Sequence, residues 1–231
     1  IINKSIMGFY RGPNIVRDSL HCYVDASSPR CYSGIGTTLN DLSKNGRDFT
    51  LINGASISGG NILLDGSNDY AQHSGTFDWT ATPWTVEFWA KATDFTYPSV
   101  IDLIVAGNGH FKFDLGSTYI RSQFRTPGGS SSSLVSYSTT NTSGEWYFCS
   151  FTRSGATYKA YLNGSLGATN TSSALNNSSG MTAIRIGYSA DNDASDRTFE
   201  GSVGPLRIYT KTLTDVEVSQ NYNAQKSRFG L

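Results

Sequence analysis

Cutting a glycosidic bond with retention takes two carboxylates about 5 Å apart, and a strand supplies them when acids stand two residues apart on one face. The chain has four glutamates, Glu87, Glu145, Glu200 and Glu217. Two residues beyond them stand Trp89, Tyr147, Ser202 and Ser219, so no single strand carries that pair. Asp102 and Asp114 remain as a couple that a hairpin could bring together. Other chemistries leave even less trace. The sequence has no Gly-x-Ser-x-Gly elbow, no His-Glu-x-x-His and no phosphate loop. His21, His73 and His110 are scattered, with no acid at motif spacing, and read as surface or satisfied half-buried side chains. A Ser/His/Asp triad assembled only in space stays open. The expectation is a protein that is not an enzyme.

Binding asks for less than catalysis. A sugar ring needs an exposed aromatic platform beside amides and carboxylates. Trp79, Trp84 and Tyr97 lie near loops and are the candidates for glycan contact, the alternative being packing in the core or at strand ends. Eighteen basic residues balance eighteen acidic ones, which argues against a general affinity for nucleic acid or an anionic membrane. Only 16% of residues are charged, so the surface is largely hydroxyl and amide, suited to carbohydrate or to dense protein assembly. No apolar run reaches the 18 residues that would mark a membrane-spanning helix. Three cysteines make no complete disulfide framework. Cys22 and Cys149 sit in apolar strand patterns and read as buried thiols, with a Cys22–Cys31 bridge as the alternative.

The elements that would position these residues are strands. Aromatic residues make up 13% of the 231, and Ser, Thr, Asn and Gly are abundant, which favours strands and turns over long helices. "LHCYVDA" alternates Leu20, Cys22 and Val24. "WTVEFWAKA" sets Val86, Phe88 and Ala90 on one face and Glu87, Trp89 and Lys91 on the other, so Trp89 asks for a partial cover on the second face. Asp65-Gly66 marks a turn, and Asn163-Gly164 is the sharpest hairpin signal. "TLTDVEVSQNYNAQ" is the one good helix, with Thr214 and Glu217 as a capping box and Val218 and Tyr222 on a shared face. About a dozen short strands with turns between them predict two antiparallel sheets in one domain, residues 17–231, preceded by an N-terminal arm or anchor, residues 1–16, the alternative for that stretch being an ordinary strand leading into the core.

"YVDASSPRCYSGIGTTLNDLSKNGRDFTLING", "LLDGSNDYAQ", "PWTVEFWAKA", "GEWYFCSFTRSGATYKAYLNG" and "FEGSVGPLRIYTKTLTDVEVSQNY" together resemble the laminin-G-like, concanavalin A-type family, in the family's order. The resemblance implies an all-β, two-sheet antiparallel jelly-roll sandwich with one short C-terminal helix. It implies that the loop from Asp25 to Gly46 crosses the sandwich end as a structural piece, locked at Asp41-Leu42-Ser43, with Asn45-Gly46 supplying positive φ. Relatives often carry an aromatic before that turn; here Leu39-Asn40 stands instead. Members of this fold that hydrolyse β-glucans carry Glu-x-Asp on a strand, which is missing here. Lectin-like members hold calcium through Asp and Asn oxygens, so Asn68, Asp69, Asp191 and Asp193 are candidate calcium ligands, with plain turn capping as the alternative. The opening "MGFYRGPNIVRDSLHCYVDASSPRCYSG" also looks like the start of such domains in tailed-phage virion proteins, with residues 1–6 as an extension before Met7. That likeness implies a bacteriophage structural protein: a capsid decoration, head fibre or tail-associated module. It would sit in the virion as a homo-oligomer or symmetric assembly, touching other virion proteins of capsid or tail and host surface polysaccharide. The second reading is a carbohydrate-binding adhesin or lectin module, extracellular or at a cell surface.

Overall fold

Apolar residues at every second position need a dry surface to face, and the chain provides it by laying two sheets against each other. The computed structural model describes residues 13–77, 83–105, 109–125, 130–172, 180–189 and 197–231. In chain order the strands are β1 (Leu20–Val24), β2 (Thr38–Leu39), β3 (Phe49–Ile52), β4 (Ser56–Ser58), β5 (Asn61–Asp65), β6 (Tyr70–Phe77), β7 (Trp84–Ala92), β8 (Ser99–Val105) and β9 (Gly109–Leu115). They continue as β10 (Tyr119–Arg125), β11 (Ser131–Ser138), β12 (Tyr147–Ser154), β13 (Thr157–Leu162), β14 (Ser165–Thr171), β15 (Met181–Ile186), β16 (Tyr188–Ser189), β17 (Arg197–Thr198) and β18 (Glu200–Tyr209).

One sheet has the order β14-β13-β12-β7-β18-β5-β4, with β1 alongside the far half of β18. The other has the order β11-β10-β9-β8-β15-β6-β3-β2, and β16 pairs with β17. All these pairings are antiparallel, giving the expected jelly-roll sandwich. Strand boundaries match the sequence reading closely at β7 and at the β13–β14 hairpin, where Asn163 and Gly164 both take positive φ. Val86 and Phe88 of β7, Phe151 of β12 and Ile208 of β18 meet Leu103, Phe111 and Phe113 of the facing sheet, all fully buried. Cys22, Cys31 and Cys149 are buried free thiols, so the Cys22–Cys31 bridge does not form.

The second face of β7 is covered, as Trp89 requires. Helix α1 (Asp215–Asn223) and a 3₁₀ turn at Lys226–Phe229 lie over it, and Trp89 stacks on Phe229 at 4.1 Å and on Tyr222 at 5.8 Å. Thr214 and Glu217 form the capping box. Beneath the helix, Arg207 Nε donates to Glu87 Oε2 at 3.1 Å, and both side chains are fully buried. Asn221 Nδ2 donates to the same oxygen at 2.8 Å, while its Oδ1 accepts from the Val16 N–H at 2.7 Å. Tyr209 donates its hydroxyl to the Val16 carbonyl at 3.0 Å. The stretch 13–16, read from sequence as the end of an arm, is thus tied to the domain itself; residues 1–12 lie outside the described residues.

The loop between β1 and β3 crosses the sandwich end through one carboxylate. Asp41 Oδ1 accepts from the N–H groups of Tyr23 and Ser43, each at 2.9 Å, and Oδ2 accepts from the Ser43 hydroxyl at 2.6 Å and the Arg47 N–H at 3.1 Å. Positive φ falls on Lys44 and Gly46, so Lys44 takes the place that the sequence assigned to Asn45. Asn45 instead donates to the His21 carbonyl at 2.9 Å. Leu39 is fully buried. Burial pushes the Asp41 carboxyl up, but the Ser43, Tyr23 and Arg47 donors outweigh it and hold it below the usual carboxylate range. A lowered folded pKa means that its contribution is complete above about pH 4 and is lost as the pH falls through the folded value. Asp41→Ala is expected to cost about 2–3 kcal/mol at pH 7. In urea titrations the gap between wild type and variant should close as the pH drops below about 4.

Candidate functional site

At one end of the sandwich the turn after β5, the loop after β7 and the start of β18 come together. Gly66, Asp94, Thr96, Tyr97, Thr198 and Glu200 line a cleft of about 100 Å³ there. That is room for about three waters or the edge of one sugar ring. Each wall is held by the backbone. Thr93 N–H donates to the Glu200 carbonyl at 3.0 Å, and the Thr93 hydroxyl donates to Glu200 Oε1, also at 3.0 Å. Asp94 Oδ1 accepts from the N–H and the hydroxyl of Thr96, each at 2.8 Å. These donors keep the Asp94 carboxyl below its ordinary range. The Thr198 hydroxyl donates to the Gly66 carbonyl. Gly66 has φ +74°, and a Cβ there would stand 2.8 Å from that of Glu200, so the turn needs glycine to leave the carboxylate in place. Tyr97, 38% exposed, stands at the rim as an aromatic surface beside two carboxylates and two hydroxyls.

The outer face of the β8–β10 sheet offers a second collection of polar groups. Register sets Thr50, Gln72, Arg185, Asp102, Lys112, Gln123 and Ser133 side by side on neighbouring strands. Asp102 and Asp114 do share this face, but both are committed. Asp102 Oδ2 lies 2.8 Å from His110 Nδ1, with both side chains buried. Asp114 Oδ2 accepts from Arg121 Nη2 at 2.7 Å, Arg121 Nε at 3.0 Å and Gln123 Nε2 at 3.1 Å. Burial raises the Asp114 carboxyl, and Arg121 opposes the rise. Only 1% of either aspartate is exposed. A glycosidase needs one free carboxylate and one protonated carboxyl reaching substrate. Here Asp114 is held by Arg121 and Gln123, Asp102 lies against His110, and the donors on Asp94 keep its carboxyl below the ordinary range.

The sequence candidates separate cleanly. Tyr97 reaches a cleft. Trp84 does not, and its assignment to glycan contact is corrected: it is fully buried, edge-on to Phe113 at 5.7 Å. Its parity on β7 is that of Val86 and Phe88, which points it inward. Trp79 lies outside the described residues, as do Asp191 and Asp193. Asp69 is buried, and its Oδ1 accepts from the Gly54 N–H at 2.6 Å; the Asn68 carbonyl accepts from Asn53 Nδ2 at 2.6 Å. Both tie the turn after β5 to the turn after β3. Among the described residues no three His, Cys, Asp or Glu side chains converge. Two of the four candidate calcium ligands, Asn68 and Asp69, thus sit at turns held by hydrogen bonds, and the other two lie outside the described residues. Asp94 and Glu200 went unnoticed in the sequence because they are 106 positions apart and no motif links them.

A family model described as the concanavalin A-like lectin/glucanases superfamily, laminin-G type, matches residues 65–219, and the chain belongs to that superfamily. Comparison with curated proteins returns no match. Among solved structures, the binding domain of botulinum neurotoxin DC in complex with rat synaptotagmin II aligns at a TM-score of 0.71 and 14% identity, over 90% of this chain and 52% of that one. Botulinum neurotoxin type C, in a structure whose cell entry is described as dependent on two ganglioside molecules, aligns at 0.71 and 15%, over 90% and 52%. The ligand-binding domain of serotype D in complex with N-acetylneuraminic acid aligns at 0.67 and 17%, over 91% and 52%. The chain spans about half the length of these proteins' solved chains, and at such identity the likeness shows the fold.

If the acids of the outer face are structural, removing their partner must cost stability. Arg121→Met leaves Asp114 buried with Gln123 as its remaining hydrogen-bond donor among the described residues and should lower the unfolding free energy by about 2–4 kcal/mol in urea titrations. Asp114→Asn in the same background should restore part of it.

Proposed function

We propose that this lectin-type domain is a non-catalytic module that binds carbohydrate at the cleft around Tyr97. The observation that carries the reading is the exposed Tyr97 ring beside Asp94, Glu200 and the hydroxyls of Thr96 and Thr198. An aromatic face buries the apolar side of a sugar ring, while carboxylates accept hydrogen bonds from its hydroxyls. Two of the neurotoxin structures of the same fold are described with N-acetylneuraminic acid or gangliosides, which supports a saccharide partner here. A setting on the virion of a tailed phage, with host polysaccharide as the saccharide, is supported by the sequence likeness of the opening segment. In that setting the domain would be a surface-exposed adsorption module.

Glycan-array screening followed by calorimetry on the full chain tests the reading. Tyr97→Ala and Glu200→Gln should each weaken the best glycan by about tenfold or more, with the melting temperature of Tyr97→Ala unchanged. Release of new reducing ends from the bound glycan, abolished by Glu200→Gln, would make the cleft catalytic and overturn the proposal. A blank array would overturn it as well.

A further inference from the structure

The loop that crosses the sandwich end builds a second cleft, distinct from the one at Tyr97. Arg17, Tyr23, Ser28, Arg30 and Leu42 enclose about 150 Å³ there. Two arginines in one small cleft normally face carboxylates. These two do not: neither Arg17 nor Arg30 makes a side-chain hydrogen bond or ion pair among the described residues. Every other arginine with a described side chain is engaged. Arg121, Arg207 and Arg228, for instance, are paired with Asp114, Glu87 and Asp25.

The acids nearest in sequence are already spent on other donors. Asp18 accepts from Lys211 Nζ at 3.0 Å. Asp25 takes the Arg228 guanidinium at 2.7 Å, the Ser27 hydroxyl at 2.7 Å and the Tyr23 hydroxyl at 3.2 Å. Asp41 is consumed by the crossing turn. Ser28 Oγ accepts from the Arg30 N–H at 3.3 Å, which leaves its own proton free to donate into the cleft. The cleft therefore presents two forked cations and a hydroxyl donor, with no anion among the described residues to answer them. Planar guanidinium forks match oxyanions, to which they donate paired hydrogen bonds.

We infer that the Arg17–Arg30 cleft is an oxyanion site that takes the carboxylate or sulfate of an acidic saccharide, or a phosphate presenting the same oxygens. It stands independently of the Tyr97 reading. Titration calorimetry on the full chain at low ionic strength, with inorganic phosphate in one arm and a sulfated oligosaccharide with its unsulfated parent in the other, tests it. At least one anion should bind saturably. Arg17→Gln and Arg30→Gln should each weaken it about tenfold, and the double variant should abolish it. Both side chains are exposed, so the variants should keep the wild-type melting temperature. Lys44→Gln removes an equal charge from the same loop and should change affinity less than about twofold. Phosphate binding with no gain for the sulfated sugar assigns the site to phosphate; tighter binding of the sulfated sugar than of its parent assigns it to acidic saccharides. Tyr97→Ala should leave either result intact. Failure to saturate below about 10 mM in both arms, or an equal loss in Lys44→Gln, overturns the inference.

Discussion

Val86, Phe88 and Ala90 point from β7 into the space between the sheets, and the architecture is organised around keeping that face dry. Antiparallel strands place every second side chain on the same side, so one buried face dictates the other. Leu206 and Ile208 on β18, and Cys149 and Phe151 on β12, fall opposite β7 by register and complete the same layer. Trp84 shares that parity, which is why a large aromatic beside a loop ends as core. Glu87 and Trp89, forced outward by the same rule, need a cover of their own. The C-terminal helix provides it, and the helix in turn ties down Asn14 and Val16.

The two outer faces handle charge in one way. Glu87 with Arg207, Asp114 with Arg121, and Asp102 with His110 are polar groups taken out of water together. Such pairs add little net stability over apolar residues, but a lone member is costly, so each partner constrains the other. What remains for ligands is at the loops, where short side chains and backbone donors hold polar groups close to solvent. The Tyr97 cleft carries negative charge and the Arg17–Arg30 cleft positive charge, so the two would suit different parts of a saccharide or different ligands.

Much of this was legible in the chain. The β7 strand, the Asn163-Gly164 hairpin and the Thr214–Glu217 capping box depend on neighbours within a few residues, and each took the predicted form; the Asp41-Leu42-Ser43 lock also formed, drawing on the Tyr23 N–H as well as on its own turn. The site was far less legible. Tyr97 was picked out, but Asp94 lies on the loop after β7 and Glu200 at the start of β18, and only pairing of β18 with β7 and β5 brings them together. Asp69 was read with a metal in view and proved to cap Gly54, fifteen residues away.

Local rules of alternation, turn chemistry and capping are written residue by residue, so the sequence by itself determined an antiparallel sandwich with one terminal helix and no strand-borne acid pair. The tertiary structure alone decided which charges are neutralised and which stay open. That choice depends on strands distant in the chain meeting in register: Arg207 finds Glu87 across 120 positions, while Arg17 and Arg30 meet no acid among the described residues. A side chain's partner is set by the sheet it joins, and no local pattern encodes that encounter.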